Sequence, residues 1–245
     1  MGDSLQGKTA IITGGGTGIG AATAGKLGRL GMRLMLVGRR AAVVDEEARK
    51  LECEGIESVS MGGDVREFGD VVAVVEQTIQ RFGRIDVLIA NAAIADSGPI
   101  DQADPADWQA VIDTNVLGVL FSVRAVLPQM YIQGAGHIVI VSSGSGRTTY
   151  VGEPAYVASK HATVAFGNCL REEVAPRGIR VSLIEPGLVE TPLIHRDEAG
   201  LPQQLIDAGV VPLQSEDVAR AIRFALEQPP NCTVSEIALQ PTGQR

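Results

Sequence analysis

Residues 13–20 read Thr13-Gly14-Gly15-Gly16-Thr17-Gly18-Ile19-Gly20, between an apolar stretch at 8–13 and an amphipathic stretch at 19–30. A glycine-rich turn between a strand and a helix exposes backbone N–H groups at the helix N-terminus, where the helix dipole favours an anion. Glycine also lets the backbone approach a pyrophosphate without a Cβ atom in the way. Glycines serve ordinary turns too, but their place between strand and helix predicts a βαβ unit that binds a dinucleotide.

The same alternation of short apolar runs and longer amphipathic stretches continues along the chain. The predicted strands are 8–13, 33–37, 58–61, 86–90, 137–142, 180–185 and 236–239, and the predicted helices are 19–30, 42–54, 67–81, 105–132, 154–175 and 215–227. Strands that alternate with helices indicate βαβ units and a parallel sheet. We therefore predict one α/β domain over 1–245, a doubly wound Rossmann fold with a mainly parallel seven-stranded sheet and helices on both faces.

Composition is typical of ordinary soluble globular proteins, with 45% apolar and 20% charged residues. The net charge of −8 and the lack of a Lys/Arg cluster argue against a nucleic-acid partner, which needs a basic face. No apolar run approaches the roughly 20 residues that span a bilayer, and the first residues lack the pattern of a signal peptide. The scattered cysteines and histidines give no metal-binding spacing. We expect a cytoplasmic protein without a metal, membrane or nucleic-acid partner.

The tip of the second predicted strand indicates which dinucleotide binds. An NAD site typically carries an acidic residue there that binds the adenosine ribose 2′-hydroxyl, but here the strand is followed by Arg39 and Arg40. Two guanidinium groups favour a 2′-phosphate, and therefore NADP, although the pair could also be a solvated helix start. Asp64 after the third strand could bind the adenine amino group, and Asn91 after the fourth could lie near the ribose; both could equally cap loops.

Tyr156 and Lys160 lie one turn apart on the same face of a predicted helix. A free phenol has a pKa near ~10 and is a weak base at neutral pH, but a neighbouring ammonium stabilises the phenolate. The pair therefore predicts a general acid–base centre whose tyrosine pKa is lowered by the lysine. Ser143, which follows the fifth predicted strand, strengthens this interpretation.

With these motifs the chain resembles the short-chain dehydrogenases/reductases. The Thr-Gly-x3-Gly-x-Gly loop at 13–20, Ser143, Tyr-x3-Lys at 156–160, Asn115, and Pro186-Gly187 with Thr191 all match that family, over essentially the whole chain. The resemblance implies an enzyme that interconverts a hydroxyl and a carbonyl group and often forms tetramers through the long helices. We accordingly expect a homotetramer or homodimer with NADP(H) as cofactor and a small hydroxy or carbonyl compound as substrate.

The resemblance also implies a role for each matching residue. Tyr156 would exchange a proton with the substrate oxygen, Ser143 would hydrogen-bond that oxygen, Lys160 would bind the nicotinamide ribose, and Asn115 would hold a relay water. The expected catalytic residues are Asn115, Ser143, Tyr156 and Lys160. The expected cofactor contacts are Gly14, Gly16, Thr17, Gly18, Ile19, Gly20, Arg39, Arg40, Asp64, Val65, Asn91, Tyr156, Lys160, Pro186, Gly187, Val189 and Thr191.

Several features leave the substrate open. The family usually has Asn-Asn-Ala-Gly after the fourth strand where this chain has Ala90-Asn91-Ala92-Ala93, and the residue at Thr17 is often basic in NADP users. The C-terminal stretch at 234–245 is similar to that of enzymes acting on short hydroxy acids, and Arg147, Glu153, His195 and Arg196 could line a substrate pocket. The irregular segment 188–212 is typical of a substrate lid, although it could also be a surface excursion with no role.

Two alternatives remain at this point. The first is a general ketone, sugar or acyl-thioester reductase of the same family. The second is an NADP-binding sensor that performs no chemistry, although such a protein would usually lack the tyrosine or the lysine of the catalytic pair.

Overall fold

Seven parallel strands form one sheet in the order β3-β2-β1-β4-β5-β6-β7 in a computed structural model that describes residues 4–96, 98–194 and 201–244. The strands are β1 (Thr9–Thr13), β2 (Arg33–Gly38), β3 (Ser58–Gly62), β4 (Val87–Ala90), β5 (Gly136–Val141), β6 (Ile179–Pro186) and β7 (Glu236–Leu239). Each of the six neighbouring pairs is parallel. The predicted seven-stranded α/β fold is confirmed.

Helices cover both faces of this sheet. They are α1 (Gly18–Gly28), α2 (Ala41–Cys53), α3 (Phe68–Phe82), α4 (Pro105–Ile112), α5 (Gly118–Gln133), α6 (Pro154–Val174), α7 (Leu201–Asp207) and α8 (Ser215–Leu226). Successive side chains of a strand point to opposite faces, so in β1 Ile12 packs with α1 and α8 while Ile11 packs with α3 and α5. Because both faces are covered, the central strands are buried throughout and apolar almost without interruption.

The segment predicted as one helix at 105–132 is a long helix with an internal irregularity. Asp104 caps its start by accepting a hydrogen bond from the Ala106 N–H, as its position before Pro105 predicts. Residues Asp113–Leu117 form a π-helical turn between α4 and α5. Pro105–Gln133 is also long and apolar enough to cross a membrane by length and composition, contrary to our expectation, but half of its apolar window is buried in the fold.

The C-terminal third contains one helix that the sequence did not predict. The helix α8 begins where predicted, and Gln214 is its N-cap in a capping box with Asp217. The short helix α7 lies within the segment 188–212 that showed no sequence period. Seven residues provide too few turns for an apolar period to stand out.

The order of the strands determines where a ligand can bind. The chain winds outward from β1 to β3 on one side and from β4 to β7 on the other, so β1 and β4 are neighbours at the switch point. Connections leave these two strands in opposite directions, which opens a crevice at their carboxyl ends. The glycine-rich loop follows β1 and Asn91 follows β4, so both lie at that crevice.

Candidate active site

A cavity of about 260 Å³ lies at the carboxyl ends of β1, β4, β5 and β6. Most of the residues expected at the site line it. They are Gly14, Thr17, Gly18, Ile19, Arg40, Asn91, Ser143, Tyr156, Lys160, Pro186, Gly187, Val189 and Thr191. The other expected residues, which lie outside this lining, are Gly16, Gly20, Arg39, Asp64, Val65 and Asn115.

The glycine-rich loop has the shape that a phosphate cradle needs. Gly14 and Gly18 have φ angles of +65° and +54°, a backbone region that favours glycine. A Cβ atom on Gly20 would overlap the carbonyl oxygen of Gly14, so this glycine allows α1 to pack tightly on the loop. Thr17 makes no side-chain capping bond, and the start of α1 lines the cavity. The residues present therefore fit the pyrophosphate of a dinucleotide at an open helix N-terminus.

Of the two arginines after β2, only Arg40 lines the cavity, and both side chains are exposed. Asp64, which is predicted to bind the adenine, pairs with Arg66 in a two-pronged contact whose shortest distance, Arg66 Nη2 to Asp64 Oδ2, is 2.6 Å. Hydrogen bonding to Arg66 lowers the pKa of Asp64, with a smaller contribution from the charge of Arg39. At the predicted adenine-binding end, the Arg40 side chain lines the cavity and the Asp64 carboxylate is paired with Arg66.

Asn91 connects the ends of β1 and β4. Its Nδ2 donates to the carbonyl oxygens of Thr13, at 3.0 Å, and Gly14, at 3.3 Å. The Thr13 hydroxyl in turn accepts the backbone N–H groups of Asn91, at 3.0 Å, and Ala92, at 3.1 Å. The amide N–H groups expected near a ribose therefore hold the glycine-rich loop in place, while the residue still lines the cavity.

Ser143, Tyr156 and Lys160 come together in the cavity lining. Ser143 follows β5 and hydrogen-bonds with the Tyr156 phenol. The Lys160 Nζ lies 5.5 Å from the centroid of the Tyr156 ring and donates to the carbonyl oxygen of Val141 at 3.2 Å. An acid–base tyrosine, a second hydroxyl and an amine therefore share one part of the cavity.

The electrostatics of this pair differ from the expectation. Burial raises the pKa of Tyr156 to about 12, the hydrogen bond with Ser143 opposes that rise, and the nearby charge of Glu153 adds to it. Burial lowers the pKa of Lys160 to about 8. The expected lowering of the tyrosine pKa is thus absent from the protein alone, because loss of solvent affects both groups more than their mutual attraction does.

Asn115 lies in the π-helical turn and is 1% exposed. Its Oδ1 accepts the N–H of Ile94 at 2.9 Å, and its Nδ2 donates to the carbonyl oxygen of Ile94 at 2.8 Å and to the Ser159 hydroxyl at 3.0 Å. Both amide N–H groups are therefore in use. A relay water would have to bind the second lone pair of Oδ1 or the backbone of this residue.

The residues suggested for a substrate pocket do not lie together in the structure. Arg147 lies outside the cavity lining and pairs with Glu185 of β6, at 3.0 Å, and Glu236 of β7, at 2.6 Å. It therefore connects two strands and the turn after β5, in place of binding a substrate carboxylate. Glu153 lines the cavity and is buried. His195 and Arg196 lie outside the described residues.

Sequence reasoning missed three residues near this site. Tyr150 and Gln244 line the cavity, and the Oε1 of Gln244 accepts the N–H of Leu188 at 2.9 Å. The Asp96 carboxylate accepts the N–H of Tyr156 at 2.8 Å. No local pattern marks Gln244 or Asp96, since each contacts a residue more than 50 positions away along the chain.

An open helix N-terminus for a pyrophosphate, at the switch point of a parallel sheet, together with a serine, a tyrosine and a lysine, defines an oxidoreductase that acts on CH–OH and C=O groups with a nicotinamide cofactor. Comparison with known proteins gives the family. The sequence model of the short chain dehydrogenases matches residues 8–201. This chain belongs to the short-chain dehydrogenase/reductase family, as its motifs predict.

Individual relatives cover nearly the whole chain. An uncharacterised oxidoreductase of Staphylococcus saprophyticus is 35% identical over 239 residues, covering 97% of this chain and 98% of the relative. An NADP-dependent 3-hydroxy acid dehydrogenase of Schizosaccharomyces pombe is 35% identical over 247 residues, covering 98% and 95%. A metagenomic short-chain oxidoreductase, solved in complex with NADP, superposes with a TM-score of 0.84 at 30% identity, covering 98% and 99%.

Proposed function

We propose that the protein uses NADP(H) to interconvert a small hydroxy compound and its carbonyl form, with Tyr156 as the general acid–base. The observation that carries this proposal is the meeting of Ser143, Tyr156 and Lys160 in a cavity that also contains the glycine-rich loop. A protein that only bound the cofactor would have no need for this arrangement. The sensor alternative therefore has no observation in its favour.

Each of the three residues has a distinct task in reduction. The bound nicotinamide supplies the hydride. The Tyr156 hydroxyl gives its proton to the carbonyl oxygen, and the Ser143 hydroxyl donates a hydrogen bond to the same oxygen and stabilises its developing charge. The Lys160 ammonium, 5.5 Å from the tyrosine ring, stabilises the phenolate that remains. Asn115 would supply the site for a relay water through its remaining acceptor atoms.

The preference for NADP rests on Arg40. Its side chain lines the cavity where the adenosine ribose of a dinucleotide would lie, and no carboxylate occupies the tip of β2. A guanidinium at that point favours a 2′-phosphate through charge-assisted hydrogen bonds. The names of the fission-yeast relative and of the metagenomic structure both include NADP, which supports the same preference.

The substrate class has two candidates. A short 3-hydroxy acid is supported by the name of the fission-yeast relative. A small uncharged carbonyl compound is supported by the cavity, where Ser143, Tyr150 and Glu153 lie near Tyr156 and Arg147 is bound to two glutamates elsewhere.

Further proposals concern the whole chain. We expect the segment 188–212 to act as a substrate lid within a single domain, since Leu193, Ile194 and Leu205 line the cavity. We also expect a cytoplasmic homotetramer or homodimer that assembles through α4–α5 and α6.

The test is a spectrophotometric assay of purified protein with NADPH or NADH and a panel of small ketones, aldehydes and keto acids. We expect oxidation of NADPH in preference to NADH. Tyr156→Phe should lower kcat at least ~100-fold, because the proton donor is lost, and should leave NADPH binding intact. Arg40→Ala should raise the KM for NADPH about 10- to 100-fold while hardly changing that for NADH.

Arg39→Ala compares the contributions of the two guanidinium groups, because Arg39 is also exposed but lies outside the cavity lining. Faster turnover with NADH would contradict the role of Arg40. Full activity in Tyr156→Phe would contradict the mechanism. A preference for keto acids or for uncharged carbonyl compounds would decide between the two substrate classes.

A further inference from the structure

The helix that carries Tyr156 and Lys160 begins without a cap from its own sequence. Pro154 is the first residue of α6 and has no N–H group, and the preceding residue, Glu153, makes no side-chain capping bond. The first backbone donors are therefore the N–H groups of Ala155 and Tyr156. Such groups need an acceptor, usually the side chain of the residue just before the helix.

Asp96 supplies this acceptor from a distant part of the chain. Its Oδ1 accepts the N–H of Tyr156 at 2.8 Å, and its Oδ2 accepts the N–H of Ala155 at 3.4 Å, across 60 and 59 residues of sequence. The side chain is buried, with 8% of the residue exposed. A carboxylate in this position does what a local N-cap does, and its charge also complements the positive end of the helix dipole.

The backbone of Tyr156 is bonded on its other side as well. The Ser159 hydroxyl donates to the carbonyl oxygen of Tyr156 at 2.7 Å and accepts a hydrogen bond from Asn115 at 3.0 Å. Asp96 holds the N–H group and Ser159 holds the C=O group of the same residue. The backbone of Tyr156 is thus bonded directly to Asp96 and is connected to Asn115 through Ser159 of the same helix.

We propose that Asp96 is a positioning residue that sets the place of the Tyr156 hydroxyl relative to Ser143 and the substrate oxygen. This inference rests on the proposed function of Tyr156. Displacement of a reacting group by an ångström can lower a rate by up to ~100-fold without changing ligand affinity. Asp96 therefore affects kcat more than it affects cofactor binding.

The segment between β4 and α4 contains Asp96, and its first residues are held by separate hydrogen bonds. Ile94 is held at both its N–H and its C=O by Asn115, and Asn91 is held by Thr13 and Gly14. Removing the Asp96 carboxylate leaves these bonds intact. The part of the loop that follows β4 and lines the cavity then stays in place while the start of α6 loses its cap.

The experiment compares Asp96→Ala with Asp96→Asn, whose amide oxygen still accepts the N–H of Tyr156. We expect kcat to fall at least ~10-fold in Asp96→Ala and to stay within ~3-fold of wild type in Asp96→Asn, with little change in the KM for NADPH in either variant. Hydrogen exchange of the Tyr156 amide, followed by mass spectrometry or NMR, should accelerate only in Asp96→Ala.

Asp104→Ala is the matched control. Asp104 caps α4 in the same way, accepting the N–H of Ala106 at 2.8 Å, and lies outside the cavity lining. This variant should lose thermal stability without losing kcat. A wild-type kcat in Asp96→Ala, or an equal loss of kcat in Asp96→Asn or Asp104→Ala, would overturn the role of Asp96.

The same assay separates this inference from the proposed function. If Tyr156→Phe retains full activity, or if wild type turns over no substrate, the proposed function fails and the catalytic role of Asp96 fails with it. If Tyr156→Phe is inactive and Asp96→Ala is fully active, only the inference about Asp96 fails.

Discussion

Tyr156 and Lys160 are both shifted by burial toward their uncharged forms. The pKa of the phenol rises to about 12 and that of the amine falls to about 8. Lys160 is therefore still charged at neutral pH and loses its charge in mildly alkaline solution. Its stabilisation of a phenolate is available only while it is charged, so the lysine pKa limits the pH range of that effect.

The lysine pKa leads to a prediction about stability. Below pH 8 the folded protein holds a buried ammonium that would be better solvated in the unfolded chain. The destabilisation, up to about 3 kcal/mol for this shift, disappears as pH rises from about 8 to 10.5, because only the unfolded chain then binds the proton. The free energy of unfolding of wild type relative to Lys160→Met should therefore increase over this range, in urea titrations at several pH values.

Ionisation of Tyr156 would lower the free energy of unfolding above pH 10, so the difference is read mainly between pH 8 and 10, where the phenol is protonated. Lys26→Met, a change on α1 away from the cavity, controls for the loss of a lysine as such. A difference between wild type and Lys160→Met that is independent of pH would mean that Lys160 titrates normally.

At the scale of elements, α4 and α5 show what a periodic pattern cannot predict. The apolar pattern predicted a continuous helix at 105–132, but the segment contains a π-helical turn at Asp113–Leu117. A π turn adds one residue inside an α-helix, and an offset of a single residue in an apolar pattern does not show where the turn lies. The turn nevertheless contains Asn115, whose amide holds Ile94 and Ser159.

The contacts that the sequence does not predict have a common physical cause. The glycine-rich loop and the Tyr156–Lys160 pair are local patterns, and the structure has both at the cavity. Arg147 with Glu185, and Asp96 with Tyr156, join residues 38 and 60 positions apart. Only the packing of β6 and α6 brings such groups together, and no spacing along the chain encodes it.

Replacing two helical glycines with alanine should change the free energy of unfolding in opposite directions. A Cβ atom on Gly167 of α6 would lie 2.6 Å from the Cδ2 of Leu183, which is fully buried in β6, whereas one on Gly69 of α3 would meet nothing within 4 Å. Overpacking should outweigh helix propensity, so Gly167→Ala should destabilise by roughly 1–2 kcal/mol. Gly69→Ala should stabilise by about 0.5–1 kcal/mol.

Urea unfolding of the two variants beside wild type gives both numbers. Stabilisation by Gly167→Ala would mean that α6 can move away from β6 with little loss of packing free energy. That result would also predict that Tyr156 and Lys160 tolerate a shift of their helix.

At the scale of the whole molecule, the described surface includes an apolar stripe on the long helix. Leu117 and Ile132 are 37% and 81% exposed, and Phe121, between them, lies 5.4 Å from the exposed Phe68 ring. Exposed apolar side chains grouped on one helix are typical of protein interfaces. The stripe therefore gives a place to test the predicted assembly through α4–α5 and α6.

We expect light scattering coupled to size-exclusion chromatography to give the mass of four copies, or of two, at micromolar concentration. Leu117→Glu should shift the protein toward smaller species, because it places a charge in the interface. Glu76→Gln on α3 is a control that changes surface charge without touching the stripe. A monomeric wild type would contradict the assembly.

The contact between Gln244 and Leu188 has a practical consequence. Gln244 lines the cavity, so any peptide fused after residue 245 begins beside it. Leu5, near the other end of the described chain, precedes the amino end of β1, whereas the cavity lies at the carboxyl ends of the strands. Purification tags and reporter fusions therefore belong at the amino terminus, and a carboxy-terminal tag would itself change the pocket whose substrate is being sought.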